Sequence, residues 1–447
     1  MITYSIIEKS QLEGANRLDA EYYQPEYLDA LKKLSKSSTV AELASDIRYG
    51  LYIEPDYLEE GIKFIRAMNL FETDIEGEIL KINPIKVPSE YKLKVGDCLI
   101  TRSGANTGTT SVVYPKLQDA TFGSYTIRMR FNKINPFFVG LFLNTKYGIF
   151  QTLRLQTGMA QPNLNIPNIE EIKIPIFSES EQKRIELLCL EIQNQKETSS
   201  KIYQQAEKLL LEELGMGEYQ FDSQLFNVVN FLEVKTAERM DAEYFQPKYA
   251  KLEKKIRENN AQRLGDLVTV KKGFEPGSEE YLEEGKLFIR VSSLTKLGII
   301  DKDQKYLSKN LYKELKKDYE PKVGEILLTK DASPGIAYVV KEPVEGIISG
   351  GIVRLKLKEQ GIEPEYLALC ISSLVGQSQA QRDAGGSVIM HWKPDQIKNL
   401  FVPILPQSIQ KKISDLVIQS HEARKKAREL LEEAKLKVEQ LIEKGGE

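Results

Sequence analysis

The chain has 447 residues, 41% of them hydrophobic and 28% charged, an ordinary globular composition with room for two or three domains. Its net charge of −3 argues against a protein that coats nucleic acid by charge alone; binding there would need a local basic face, with a partner supplying part of the phosphate contact. Three widely spaced cysteines (Cys98, Cys189, Cys370) match no disulfide, metal or redox pattern, and two histidines (His391, His421) are too few for a histidine-rich metal site.

The N-terminus, MITYSIIEKSQLEG, carries no basic stretch followed by an apolar run, and no run of ~18 apolar residues occurs. No signal peptide and no membrane span are expected, which suits a cytoplasmic protein. Going along the chain, four blocks stand out: RLDAEYYQPEY from Arg17, YLEEGIKFIR from Tyr57, LKVGDCLITRSGANTG from Leu93 and IKIPIFSESEQKRI from Ile172. Each returns in the same order: RMDAEYFQPKY from Arg239, YLEEGKLFIR from Tyr281, PKVGEILLTKDASPG from Pro321 and LFVPILPQSIQKKI from Leu400. Four blocks at one nearly constant offset make the chain a tandem duplication with a period of half its length, far longer than a solenoid repeat. Two similar α/β domains, residues 1–178 and 216–404, are expected about a pseudo-twofold axis.

The agreeing blocks read as framework. Gly96 and Gly324 mark a turn that enters a buried strand. The halves diverge in the neighbouring loops. RAMNLFETD faces RVSSLTKLG, residues 102–111 (RSGANTGTTS) face 330–337 (KDASPGIA), and 158–167 (GMAQPNLNIP) face 385–394 (GGSVIMHWKP). A shared scaffold with altered loops suits two reading heads for two different targets. Arg and Lys suit guanine edges, Asn and Gln suit adenine, Ser and Thr suit either, and glycine admits close backbone approach to phosphate. The candidate DNA-binding residues are Arg48, Tyr49, Arg66, Asn69, Arg102, Ser103, Asn106, Gln161 and Asn163 in the first half. In the second they are Lys271, Lys272, Arg290, Ser292, Lys330, Ser333, His391 and Lys393.

Each half ends in a long polar helix, one over about residues 180–214 and one over about 406–443. Apolar residues at three- and four-residue spacing form a seam: Ile185, Leu188, Ile192, Ile202, Ala206 and Leu209 in the first. In the second the seam runs through Ile413, Leu416, Ala423, Ala427, Leu430, Ala434 and Leu441. At 1.5 Å per residue, ~35 residues span ~50 Å, so two such helices packed together would make a rod.

Catalytic patterns are missing. Asn135-Pro136-Phe137-Phe138 lacks the second proline of an adenine methyltransferase motif and reads as a helix start. Asp56, Glu59, Glu60 and Lys63 have the spacing of a short helix, not of a nuclease strand. No G-x-G-x-x-G or P-loop occurs, and neither Ser nor Cys has a histidine base. His421 reads as solvated on the second helix. No catalytic residue, metal or cofactor is expected.

Taken together, these segments resemble the specificity subunit of type I restriction-modification systems over essentially the whole length. The marks are residues 17–27, 95–104 and 158–185, repeated at 239–249, 323–331 and 385–413. The resemblance implies two target-recognition domains separated by two long antiparallel coiled-coil helices. Each domain would read one part of a split, asymmetric site on double-stranded DNA. The helices would set the spacer and dock two adenine-N6 methyltransferase subunits, Ile185, Leu188, Ile192, Ile202, Leu209, Ile413, Leu416, Leu430 and Leu441 lying on the partner-binding helices. Motor-nuclease subunits would complete the complex. Two departures stand out. KDASPG replaces RSGANTG, which implies a different target, and Ser408-Ile409-Gln410 replaces Ser180-Glu181-Gln182, which changes the helix-start contacts. The alternatives are a non-catalytic protein-binding scaffold on a coiled-coil spacer, and a methylation-only or type IIB-like system.

Overall fold

A computed structural model describes residues 4–9, 12, 17–34, 36–104, 106–158, 161–217, 226–300, 304–358, 361–386 and 389–445. The chain divides into two compact units, Met1–Gln195 with Lys426–Glu447, and Lys196–Lys425.

The first unit is built on an antiparallel sheet in the order Ala44–Tyr49, Thr126–Phe131, Cys98–Thr101, Thr110–Val112. Its inner strand Cys98–Thr101 is buried throughout, because both faces are covered. Cys98, Ile100, Ile127 and Met129 join the main core with the helix Pro136–Phe142, while Leu99 belongs to a smaller cluster on the other face. That smaller cluster adjoins a second sheet in the order Thr121–Phe122, Ile62–Ile65, Leu80–Ile82, Tyr57–Leu58. Asn135 caps Pro136–Phe142 through its Oδ1, as the reading of that segment as a helix start requires. A small antiparallel pair, Ser37–Thr39 with Lys173–Pro175, closes the frame before the first long helix.

The second unit repeats this plan. Its main sheet runs Val268–Lys272, Ile352–Leu357, Ile326–Thr329, Ala337–Val339. The second sheet runs Lys305–Leu307, Lys286–Ile289, Gly346–Ile348, and Gln262–Arg263 pairs with Phe401–Val402. The expected turns are present: Gly96 and Gly324 have φ of 87° and 86°, a region that favours glycine. One insertion breaks the symmetry. The second unit carries a helix, Lys309–Tyr319, where the first has two short 3-10 turns, Pro84–Lys86 and Ser89–Tyr91.

The long helices span Glu179–Glu213 and Gln407–Gly445, within two residues of expectation. Ser178 and Glu181 form a reciprocal cap at the first, the Ser178 amide donating to Glu181 Oε2 (3.2 Å) and the Glu181 amide to Ser178 Oγ (3.3 Å). The second helix lost that glutamate but kept the glutamine. Gln182 Nε2 donates to Phe177 O and Gln410 Nε2 to Leu405 O, both at 2.9 Å. The glutamine is therefore the shared helix-start contact.

The buried stripe sits one residue from the expected seam at several places. In the first unit Ile185, Cys189 and Ile192 share a core with Ala427, Leu431, Ala434, Val438 and Ile442. In the second, Tyr203, Ala206 and Leu210 share one with Ile413 and Val417. Leu188, Ile202, Leu209, Leu416, Leu430, Leu441 and Ala423 are half-buried instead. Within each unit, the helix segments that belong to it face that unit's framework as well as one another, and this turns the most buried line away from a simple two-helix seam.

Two further expectations fail. Residues 56–63 form no helix: Tyr57–Leu58 and Ile62–Ile65 are strands that both pair with Leu80–Ile82, and cross-strand pairing overrides the helical charge spacing. His421 is buried, not solvated. Its Nε2 lies 3.2 Å from Lys296 O, and its ring packs beside Tyr203 and Tyr338. Burial pushes its pKa down to about 4. No described helix is long and apolar enough to cross a membrane.

Candidate nucleic-acid interface

In the first unit the buried strand Cys98–Thr101 delivers Arg102 and Ser103 to its end, beside the loop 157–164. Backbone bonds stitch the two segments together. Leu164 N donates to Arg102 O (2.8 Å), and Thr157 and Asn163 exchange two bonds of 2.9 Å each. Arg102, Ser103, Gln161 and Asn163 thereby come together. The Arg102 guanidinium stacks 4.7 Å from the Tyr49 ring, its Nη2 lies 3.5 Å from Asn163 Oδ1, and Gln161 Nε2 donates to Ser103 Oγ (3.2 Å). The buried Nε of Arg102 has no partner among the described residues. Stacking holds the planar donor fork in place while leaving donors to spend, the arrangement suited to a guanine edge. Tyr49 is itself fixed, its Oη accepting from Ile166 N (3.1 Å).

The second unit repeats the stitching with different side chains. Trp392 N donates to Lys330 O (2.8 Å), His391 N to Gly385 O (2.7 Å), and Gly385 N to His391 O (3.1 Å). Lys330 thus stands where Arg102 stands, Asp331 where Ser103 does, and His391 where Asn163 does. Lys330 Nζ pairs with Asp331 Oδ2 (2.5 Å) and His391 Nδ1 with Asp331 Oδ1 (2.8 Å).

The sequence matches the family model of the type I restriction modification DNA specificity domain twice, over residues 51–207 and 257–432. The chain belongs to this family. Each matched stretch contains one stitched pair of loops, so this specificity chain carries its family's DNA-recognising domain in tandem, and its role is DNA sequence specificity in a type I restriction-modification system. No curated protein matches the sequence. Among solved structures, the S subunit of a type I system from M. genitalium is 16% identical, with a TM-score of 0.39, covering 91% of this chain and 94% of that one. The HsdS subunit from Thermoanaerobacter tengcongensis is 14% identical, with a TM-score of 0.29, covering 92% and 95%. Likeness at that level adds no argument to the family match.

The remaining candidates of the specificity chain fall into three groups. Some stand exposed near the stitched loops: Ser292, Ser333 and Lys393, with Asn106 half-exposed. Some lie on the sheet edges. Arg48 pairs weakly with Asp46 (3.5 Å) and Glu90 (3.9 Å), Lys271 pairs with Asp318 (2.9 Å), and exposed Lys272 has no ion-pair partner among the described residues. The rest hold loops. Asn69 is 2% exposed, its Oδ1 accepting from Arg66 N and its Nδ2 donating to Glu76 O and Glu78 O. Its amide is spent, so a base-reading role for Asn69 is withdrawn. Arg66 donates to Glu78 O (3.2 Å), and Ser293, beneath Arg290, takes the place of Asn69 in the second unit.

Three site residues escaped the sequence reading. Asp331 is the hub of the second cluster; its alignment with Ser103 could have revealed it. Tyr52 and Tyr125 are 94% and 62% exposed, and Tyr125 O accepts from Arg102 N (3.0 Å). Large aromatics left in solvent beside the loop were visible only once the fold placed them there.

The repeated Arg-x-Asp motif supports the site from behind. Arg17 pairs with Asp19 and reaches Gln156 O (3.4 Å); Arg239 pairs with Asp241 and reaches Asp383 O (3.1 Å). Gln156 and Asp383 are at the roots of the two stitched loops. The guanidinium holds each aspartate below the ordinary carboxylate range.

Proposed function

We propose that each unit reads one part of a split, asymmetric DNA target, and that the chain itself carries out no chemistry. The observation behind this reading is the doubled stitch. One backbone arrangement presents Arg102, Ser103 and Asn163 in one unit and Lys330, Asp331 and His391 in the other. Phosphate contacts from exposed Lys272 and Lys393 would hold register, and the loops would enter the major groove. Residues 1–178 and 216–404 serve as the target-recognition domains, and residues 179–215 and 405–447 as antiparallel coiled-coil spacer helices. Two adenine-N6 methyltransferase subunits dock on these helices, with motor-nuclease subunits in the larger complex. Catalysis then resides in the partners, the methyltransferase flipping its adenine out of the stack.

The test is to express the chain with its methyltransferase in a host lacking other adenine methylation and map the modified adenines. The expected result is two short specified sequences flanking an unspecified stretch of constant length. One continuous motif would overturn the reading. Deleting one heptad from both helices should change that constant length or abolish binding. An unchanged spacer would remove the measuring role of the helices.

A further inference from the structure

The cluster in the second unit has a chemistry that the first lacks. Asp331 is an acceptor through both oxygens, so the ring nitrogen facing it, His391 Nδ1, must donate. In the neutral imidazole that fixes the tautomer: Nδ1 carries the proton and Nε2 carries the lone pair. The His391 side chain is 60% exposed, so this lone pair is presented to solvent. Its backbone is held by the two bonds with Gly385, and on either side Ala332 N donates to Met390 O (2.9 Å) and Trp392 N to Lys330 O (2.8 Å). Trp392 itself is 1% exposed within the core, which anchors the segment. Lys330 Nζ neutralises the Asp331 carboxylate, which removes the repulsion a bare charge would feel from DNA phosphates. Lys330 is 9% exposed and spent on this pair, so it is no counterpart of the stacked Arg102 fork.

An outward acceptor in the major groove matches a base that offers an amino group, the N6 of adenine or the N4 of cytosine; guanine and thymine present acceptors there. Building on the reading that each unit contacts one part of the target, we propose that His391 selects adenine or cytosine at one position of the second part. Asp331 is the positioning residue that sets this preference, by holding the imidazole in its acceptor tautomer. The first unit, with Arg102 stacked on Tyr49, selects guanine instead.

The experiment is a selection from duplexes randomised across the second part of the target, using the chain assembled with its methyltransferase and sequencing the bound DNA. The native chain should enrich adenine or cytosine about tenfold over guanine or thymine at one position, a low value for one base contact. His391→Lys offers only donors and should move that preference to guanine or thymine. Asp331→Asn should flatten it, because an amide no longer dictates the tautomer, and Asp331→Glu should restore part of it. Unchanged Trp392 fluorescence would show that the variants are folded. A two-part target whose second part ignores His391→Lys, or keeps its full preference in Asp331→Asn, overturns this inference and leaves the two-part reading standing. A native selection with no two-part target overturns both.

Discussion

The two units carry one frame and two chemistries. In both, the amide one residue past the loop's paired position reaches back 2.8 Å to the residue just after the central strand, Leu164 to Arg102 and Trp392 to Lys330. The side chains presented by that frame share almost nothing. One unit offers a stacked guanidinium with neutral Ser103 and Asn163; the other offers a Lys330–Asp331 ion pair with His391 hydrogen-bonded to the same carboxylate. Backbone pairing fixes where a reader stands, and side chains that the frame does not need are free to decide what it reads. The supporting residues differ by size instead: Trp392 fills the core where Leu164 suffices in the first unit.

The largest effect should come from those anchors. Trp392→Ala should cost about 3–5 kcal/mol and Leu164→Ala about 2–5 kcal/mol. Trp392 is the chain's single tryptophan, so its fluorescence follows the second unit. In Leu164→Ala the tryptophan transition should stay in place while a far-UV transition moves earlier. If both move together, the units do not unfold separately.

Acid should separate them next. His421 occupies the position that Gln193 holds in the repeat, and both are buried. The folded pKa of His421, about 4, lies below its ordinary 6.5, so the unfolded chain takes up the proton first. The second unit should therefore lose stability as the pH falls from about 6.5 toward about 4, by roughly 3 kcal/mol, with no such dependence above that window. Denaturation followed at Trp392 across this range should show the slope, and His421→Gln should remove it. A slope that survives the substitution would assign the sensitivity to other groups.

Smaller effects concern DNA. Arg102→Ala should weaken binding to the native target by about 1–3 kcal/mol and relax one position of its first part alone. Relaxation in the second part would break the assignment of loops to parts. Lys272→Ala should weaken every sequence alike and lower the slope of log Kd against log salt by about one. Sequence-dependent weakening would make Lys272 a base reader.

Much of this frame was legible in the sequence because duplication gives a chain two independent copies of its own plan. The turns at Gly96 and Gly324 follow from the comparison of halves, the long helices from their apolar spacing and the helix start at Asn135 from the proline after it; the pairing of loop 102–108 with loop 158–167 does not. What escaped was set by tertiary contact. Glu59, Glu60 and Lys63 have helical spacing, yet Lys63 lies in a strand paired with Leu80–Ile82, and Glu59 and Glu60 fall in the bend before it. Asn69 has the right amide for adenine, yet three backbone groups consume it. His421 sits on a polar helix, yet two tyrosines from elsewhere in the unit enclose it. Asp331 carries a charge that repels phosphate, and only its pairing with Lys330 and its hydrogen bond with His391 make it intelligible on such a surface.

The most direct measurement is to put residues 330–335 and 385–394 in place of 102–108 and 158–167, and map the adenines methylated by the resulting complex. Two separable readers predict a target whose first part has become a copy of the second, with the spacing between them unaltered. A target changed in its second part, or unchanged in its first, would contradict them.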